Sequence, residues 1–292
     1  MFASACRRAS RYTRPVIIRR RFFDKRVRCT CGAFVILNPE GWIVTAAHLW
    51  NSYFLYQEHV AKIADYDRQV REIRDDLSLN YEEKHDRIGR LSTDPGWITH
   101  ISYWWGKEGV LLKDPKFLPD GDLVLGRLEP FEPPEQAVYP VIKDPSRLDI
   151  GTSLCKLGYP FSRIEATFNE STQSFEFSPG TAHPTRFPVE GIYTRDLRAG
   201  RSRDGKYEIK FLETSSPGIL GQSGGPIFDV KSSLWGVQSR TDMYPLGPAT
   251  EDGPGKERRE EPAYFSVGVG IHPELLIGFL LDNDIPFTLS DY

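Results

Sequence analysis

Apolar stretches in this chain are short, and turn signals cut them. Residues 27–37 read as one strand, Asn38-Pro39-Glu40-Gly41 as a tight turn, and residues 42–45 as the return strand, which ends in Ala46-Ala47-His48. The same rhythm predicts strands over 15–23, 98–104, 109–112, 123–128, 152–157, 175–177, 191–194, 207–213, 226–229, 234–239 and 264–269. Such spacing allows a mostly β fold and leaves no apolar run long enough to cross a bilayer as a helix. Gly 25 and Pro 22 supply the turns, and the 12% aromatic content suits strands. With 39% hydrophobic and 26% charged residues, 292 residues bury a real core, which excludes wholesale disorder. The Pro-, Gly- and charge-rich stretch 244–262 is expected to be a mobile loop, and residues 273–281 a closing helix.

One segment breaks the β pattern. Ile63, Tyr66, Val70, Ile73 and Leu77 recur in steps of three and four, which is a helical seam. Asn80 followed by Glu83 has the form of a capping box, so a second helix is expected from Tyr81 to just before Asp94-Pro95-Gly96. Residues 54–92 therefore read as an inserted helical hairpin that satisfies its seam mostly within itself. Its alternative role is a docking surface for a regulatory protein partner.

The net charge of −3 is uneven. Residues 1–28 hold ten Lys/Arg and one acid, Asp24, so the rest of the chain is acidic. A basic arm over residues 1–14 on an acidic body argues against a DNA or RNA substrate. The arm has no secretory apolar core. It shares its Arg-rich, acid-poor character with organelle transit peptides, so an organellar address stands as the alternative to a cytoplasmic one. The arginines of the first strand are expected on its wet face. Cys6, Cys29, Cys31 and Cys155 include no second pair to complete a zinc site, and they read as reduced, buried thiols in a reducing compartment. No metal or cofactor is expected.

Three segments carry chemistry in order: Thr45-Ala46-Ala47-His48, then Gly121-Asp122-Leu123-Val124-Leu125, then Gly221-Gln222-Ser223-Gly224-Gly225-Pro226. Each alone is weak. Together they supply the parts of acyl transfer. A serine hydroxyl needs an imidazole to take its proton. The imidazole needs a buried carboxylate to fix its tautomer. The tetrahedral oxyanion needs preorganised N–H donors, for which Gly221 and Ser223 are the candidates. Asp120 competes with Asp122, but only Asp122 runs directly into an apolar strand. His59, His85, His100, His183 and His272 have no motif around them and read as structural or surface residues. The Arg195, Arg198, Arg201, Arg203 and Lys206 run reads as a solvated hairpin, and Trp104-Trp105 as core.

In this order and with these motifs, the chain resembles the trypsin/chymotrypsin-fold serine peptidases, in the style of the compact bacterial members and the HtrA-like catalytic domain. The likeness spans about residues 15–50 and 97–285. It implies two antiparallel β-barrels, the first over 15–130 and the second over 131–292, with the helical insert and the C-terminal helix as additions. It also implies His48 as general base, Asp122 as its orienting carboxylate and Ser223 as nucleophile of a serine endopeptidase working on proteins or peptides through an acyl-enzyme. The segment Leu234-Trp235-Gly236-Val237-Gln238-Ser239 matches the strand beside the primary specificity pocket, and Ser239 the hydroxyl that supports the carboxylate. Pro217, Gln238, Ser239, Arg240 and Thr241 are the implied substrate-binding positions, with backbone pairing at Arg240 and Thr241. Pro217 stands where an acid would select basic residues, and Thr241 where a wide pocket carries glycine. A small or medium uncharged P1 side chain is therefore expected.

The departures bear on regulation. Secreted digestive members carry an acid before the nucleophile, and a freshly cut N-terminus pairs with it. Gln222 cannot make that pair. Leu49 replaces the cysteine usually next to the catalytic histidine. Both point to an intracellular enzyme that needs no zymogen cut, and no residues are left for a PDZ domain. The competing class is a binding or scaffolding protein that keeps this fold without turnover.

Overall fold

The computed structural model describes residues 1–181, 184–246 and 264–292. It opens with a helix, α1 (Ala3–Tyr12), where a basic arm was expected. Phe2, Ala5, Ala9 and Tyr12 are buried at helical spacing, so one face of α1 is core while its arginines stay in water. That face lies on the second half of the molecule. Phe2 meets Phe228 edge-on at 6.2 Å, and the Tyr12 hydroxyl donates to the Ser232 carbonyl at 3.3 Å.

Strands β1 (Thr13–Phe22), β2 (Val27–Ile36) and β3 (Trp42–Ala46) follow as a meander. Helices α2 (Asn51–Asp75) and α3 (Tyr81–Gly89) interrupt it, and β4 (Ile98–Trp104), β5 (Leu111–Leu118) and β6 (Leu123–Glu129) complete a six-stranded antiparallel sheet in the order β4-β1-β2-β3-β6-β5. Val16, Phe34, Val35, Ile43, Val44, Leu123 and Leu125 are buried, and because Phe34/Val35 and Ile43/Val44 are strand neighbours, both faces of the sheet are covered. The end strands β4 and β5 are not hydrogen-bonded to each other. Trp50 closes that gap by packing on Tyr103 at 5.5 Å from one side and Phe117 at 5.6 Å from the other.

The second sheet contains β7 (Val141–Ile142), β8 (Ser153–Gly158), β11 (Phe187–Arg201), β12 (Glu208–Thr214), β13 (Pro226–Phe228), β14 (Leu234–Pro245), β15 (Tyr264–Ile271) and β16 (Thr288–Leu289). Strand β13 pairs with both β8 and β14, which closes a six-stranded ring. A small hairpin of β9 (Ala166–Asn169) and β10 (Ser174–Phe177) stands apart from it. The result is the mostly β double-barrel architecture that the sequence implied. Helix α4 (Pro273–Leu281) has Pro at its first turn, and the His272 side chain accepts from the Glu274 N–H at 3.1 Å as its cap. Residues 247–262 of the predicted loop, and His183, lie outside the described residues. Tyr244 and Pro245 belong to β14.

Three expectations are corrected. Arg19 is only 6% exposed, because the β9–β10 hairpin lays Phe177 over its guanidinium at 4.7 Å. The first strand's arginines are thus not all wet. The helical insert begins at Asn51, and its seam faces the first barrel rather than its own hairpin. Tyr66 packs on Phe23 at 5.6 Å, and the Ile98 N–H donates to His59 Nδ1 at 2.9 Å. Leu77 lies beyond the end of α2 and is 98% exposed, so the seam stops at Ile73. The capping box forms as read, with Asn80 and Glu83 exchanging bonds of 3.0 and 2.9 Å. Replacing residues 55–92 by a Gly/Ser linker therefore uncovers Phe23, Trp97 and Ile98. A loss of about 3 kcal/mol is expected from their exposure, read as a lower urea midpoint. An unchanged midpoint would show that the hairpin covers only itself.

The two barrels approach closely behind Ser223. The Ala33 N–H donates to the Ser223 carbonyl at 2.8 Å, and Thr45 Oγ1 donates to the Ala33 carbonyl at 2.8 Å. Gly224, at φ +81°, leaves no room there for a side chain, since a Cβ would stand 2.1 Å from the Ala33 oxygen.

Candidate active site

His48 sits in a short 3-10 turn (Ala47–Trp50) that begins where β3 ends. Asp122 follows a second such turn (Pro119–Gly121) and takes left-handed φ and ψ of 52° and 36°. Aspartate tolerates that conformation better than most side chains. Leu275 of α4 packs under Gly121, where an added Cβ would meet it at 2.8 Å. The turn is thus fixed from below, and it aims the carboxylate at His48. Asp122 Oδ2 lies 2.9 Å from His48 Nδ1, and Oδ1 accepts the His48 backbone N–H at 2.8 Å. Ser239 Oγ donates to Oδ2 at 2.5 Å. A carboxylate beside Nδ1 holds the proton there and leaves Nε2 as the acceptor. Asp120 is engaged elsewhere, by Arg203 Nε at 3.2 Å and the Arg203 N–H at 2.9 Å.

Ser223 shares the same cleft, a cavity of about 560 Å³ that His48 and Asp122 also line. Its hydroxyl is directed to the Ser239 carbonyl at 3.5 Å and not to the imidazole. The preceding turn is closed by the Gln222 N–H on the Ile219 carbonyl at 2.9 Å, with Gly221 at φ +100°. Positive φ at that position makes it a type II turn, which any residue with a Cβ would resist. Among the described residues neither the Gly221 nor the Ser223 N–H has an acceptor. Gln222 is fully buried. Its Oε1 accepts the Ile219 N–H at 3.0 Å, and its Nε2 reaches the Phe187 carbonyl at 3.4 Å.

Gln238, Ser239, Arg240 and Thr241 line the cavity, and Pro217 does not. Thr241 Oγ1 donates to the Gly218 carbonyl at 2.7 Å across one end of it. The Gln238 amide fills the space beside Gly218, where a Cβ would meet Nε2 at 2.3 Å. The Pro217 carbonyl turns the other way and receives Lys156 Nζ at 2.9 Å.

The trypsin-like peptidase domain family matches residues 31–237 of this sequence, which include His48, Asp122 and Ser223. The chain belongs to that family. No curated protein matches the sequence. Among solved structures, this trypsin-like peptidase is similar to the HtrA-type protease AlgW with a tripeptide, at 15% identity and a TM-score of 0.49, over 98% of this chain and 64% of that one. It thus spans less than two thirds of AlgW. It is also similar to the active form of the Rv3671c protease from M. tuberculosis, at 13% identity and a TM-score of 0.49, over 98% of this chain and 86% of that one.

Other residues around this peptidase's cleft escaped the sequence reading. Phe161 is 78% exposed at φ +58°, its ring meets Phe187 at 5.3 Å, and Leu220 is 92% exposed. The loop that bears Phe161 abuts the turn before Ser223, for the Tyr159 N–H donates to the Gly221 carbonyl at 2.8 Å. Lys156 is 1% exposed in the middle of β8. The period-two alternation places it on the same side as Leu154, which was the available signal. Among the described residues, His59, His85, His100 and His272 hold structural or surface places. His272 caps α4, and the His100 ring packs on Phe168 at 4.5 Å. The basic hairpin is a hairpin, though Arg195, Arg203 and Lys206 spend their charges on Glu213, Asp120 and Asp282.

Proposed function

We propose that this trypsin-like peptidase cleaves peptide bonds as an endopeptidase, with Ser223 as nucleophile, His48 as general base and then acid, and Asp122 as the carboxylate that orients it. The observation that carries the reading is the Asp122 carboxylate. It is bound at once by His48 Nδ1, the His48 N–H and the Ser239 hydroxyl, in a cleft shared with Ser223. In the reaction Ser223 Oγ swings from the Ser239 carbonyl to His48 Nε2, a rotamer change of picoseconds to nanoseconds. Nε2 takes the hydroxyl proton as Oγ adds to the substrate carbonyl carbon. The N–H groups of Gly221 and Ser223 receive the oxyanion, and each such donor is worth about 3 kcal/mol to the transition state. His48 returns the proton to the departing amine. Water then repeats the addition on the acyl-enzyme.

The unprimed side of the substrate pairs with β14. One edge of that strand is bound by β15 through Arg240 and Thr241. The other edge pairs with the nucleophile turn up to Gln238, whose N–H donates to the Gly225 carbonyl at 2.8 Å. Beyond Gln238 that edge faces the cleft and can take an added strand. The Thr241–Gly218 bridge and the Gln238 amide shorten the P1 slot, which favours small uncharged side chains. The exposed apolar residues Leu77 and Tyr81, at the tip of the insert, are where a regulatory partner would dock. The four free thiols fit a reducing compartment such as the cytoplasm.

The resting position of the Ser223 hydroxyl is what favours the second reading, a fold kept for binding without turnover. Labelling separates the two. The Gln222 side chain already ties the start of the turn at Ile219 to β11 at Phe187, so the intact, uncleaved chain should take up a fluorophosphonate at Ser223 and hydrolyse a small ester. Activity that appears only after trimming before Pro15 or Val27, and that needs a free amine at the new terminus, would sink this account of Gln222. No labelling of any form favours the scaffold.

A further inference from the structure

A lysine is sealed behind the nucleophile turn, and nothing in the acyl-transfer account uses it. Lys156 extends from β8 into the barrel, and its ammonium ends against the segment that joins β12 to the turn. Nζ donates to Thr214 Oγ1 at 3.1 Å, to the Pro217 carbonyl at 2.9 Å and to the Ser216 carbonyl. An ammonium has three protons, and here each has an oxygen. All three acceptors are neutral, and among the described residues no carboxylate pairs with it. The chamber is built to fit. A Cβ on Gly268 of β15 would stand 2.5 Å from Nζ and 2.6 Å from both Thr214 Oγ1 and the Ser216 oxygen.

Burying a cation without a counter-charge costs several kcal/mol, and an apolar side chain of the same length would fill the space without that cost. What the charge brings is strong, directed bonding to the Ser216 and Pro217 carbonyls, the first of which also accepts from Thr214 Oγ1 at 3.1 Å. The next residue, Gly218, carries the carbonyl that Thr241 bridges, and three residues further on begins the pair of free N–H groups. We propose that Lys156 is a positioning residue of the acyl-transfer site: its ammonium holds the segment from Thr214 to Pro217, and so sets the depth of the P1 slot and the place of the Gly221 and Ser223 N–H groups. This rests on the proposed role of Ser223.

The hold depends on the proton. A neutral amine has two hydrogens and a lone pair; even where the Thr214 hydroxyl turns to donate to that lone pair, the bonds to the two carbonyls lose the charge that makes them strong. Burial pushes the ammonium down from 10.5 to about 7, with only the Cys155 thiol acting against that shift. The other ionisable groups on the packed strands do not face the chamber. Glu190 of β11 lies opposite Cys155 and shares its face, and Glu213 of β12 alternates with Thr214 and is bound by Arg195 at 3.0 Å. Strand β13 offers Ile227 opposite Lys156, and β15 offers Gly268. Activity should therefore fall as pH rises above about 7. The same proton loss contributes stability over that range, because the unfolded lysine keeps its proton up to 10.5. Falling activity in a protein that is not unfolding is the signature.

The test measures kcat and KM on an internally quenched peptide from pH 6 to 9, for wild type and Lys156→Met, with fluorophosphonate labelling beside it. For Lys156→Met at pH 6, kcat/KM is expected about 10- to 100-fold lower, the size that follows when reacting groups are misplaced by an ångström or so. The loss should fall on both kcat and KM, and the variant should lack the wild type's alkaline decline. A variant with wild-type kcat/KM, or with the same decline, overturns the proposal. If Lys156→Met does not fold, the wild-type profile decides. A decline with an unchanged circular dichroism spectrum supports the lysine, and a flat profile overturns it. Labelling at Ser223 with a flat profile removes only the lysine's role. No labelling and no turnover at any pH overturns the acyl-transfer reading and this proposal with it.

Discussion

Ser223→Ala is expected to lose peptide hydrolysis and keep the fold. The hydroxyl at rest makes one long bond, 3.5 Å to the Ser239 carbonyl, so removing it gives up little stability. The main-chain bonds that shape the turn do not involve Oγ. They include the Gln222 N–H on Ile219, the Gly224 N–H on Gln238 and the Ala33 N–H on the Ser223 carbonyl. The chemistry, by contrast, has no second nucleophile. Loss of one member of such a constellation costs roughly 10⁴–10⁶ in kcat. Turnover of a quenched peptide and the mass shift from a fluorophosphonate should vanish together, while the thermal midpoint stays within about 1 °C. Retained turnover in this variant would remove Ser223 from the mechanism.

What the sequence made legible was local. Strands with clear alternation and Gly/Pro ends, such as β2, β3 and β6, were found within a residue or two. So was α4, whose apolar run follows His272-Pro273. The order of three motifs pointed to His48, Asp122 and Ser223, because each motif carries its own backbone requirement. Residues placed by distant contacts were not legible. The basic N-terminus reads as a solvated arm because ten Lys/Arg dominate residues 1–28. Only the spacing of Phe2, Ala5, Ala9 and Tyr12 hints at a packed helix, and its partner Phe228 is far along the chain. The seam of α2 was visible as a seam, but its partner was not. A helical stripe does not say whether it packs on the next helix or on a strand such as β4. Arg19 was misplaced for the same reason, since Phe175 and Phe177 arrive from the β9–β10 hairpin, far along the chain. Lys156 is the most instructive case. A charged residue inside an apolar strand run breaks the pattern, and such breaks mark either an edge or a site. Only the convergence of Thr214, Ser216, Pro217 and Gly268 on its ammonium tells which.

Asp122→Asn is expected to lower kcat roughly 10⁴-fold with the fold intact. The backbone does not object, because asparagine tolerates the left-handed conformation of residue 122 as well as aspartate does. The hydrogen bonds do. The His48 N–H donates to Oδ1 at 2.8 Å, so the amide oxygen must stay there. The amide nitrogen then falls at the Oδ2 position, 2.9 Å from His48 Nδ1 and 2.5 Å from Ser239 Oγ. The Ser239 hydroxyl can turn and accept, but Nδ1 must also become an acceptor. The imidazole proton moves to Nε2, the atom that has to receive the Ser223 proton. Asp120→Asn makes the control. That carboxylate pairs with Arg203 at the surface, and its loss should change kcat by less than about threefold, in line with the small worth of an exposed ion pair. Both variants are read on the same peptide, with circular dichroism to confirm folding. A larger loss for Asp120→Asn than for Asp122→Asn would mean that the carboxylate nearest the imidazole is not the one that orients it in the reaction.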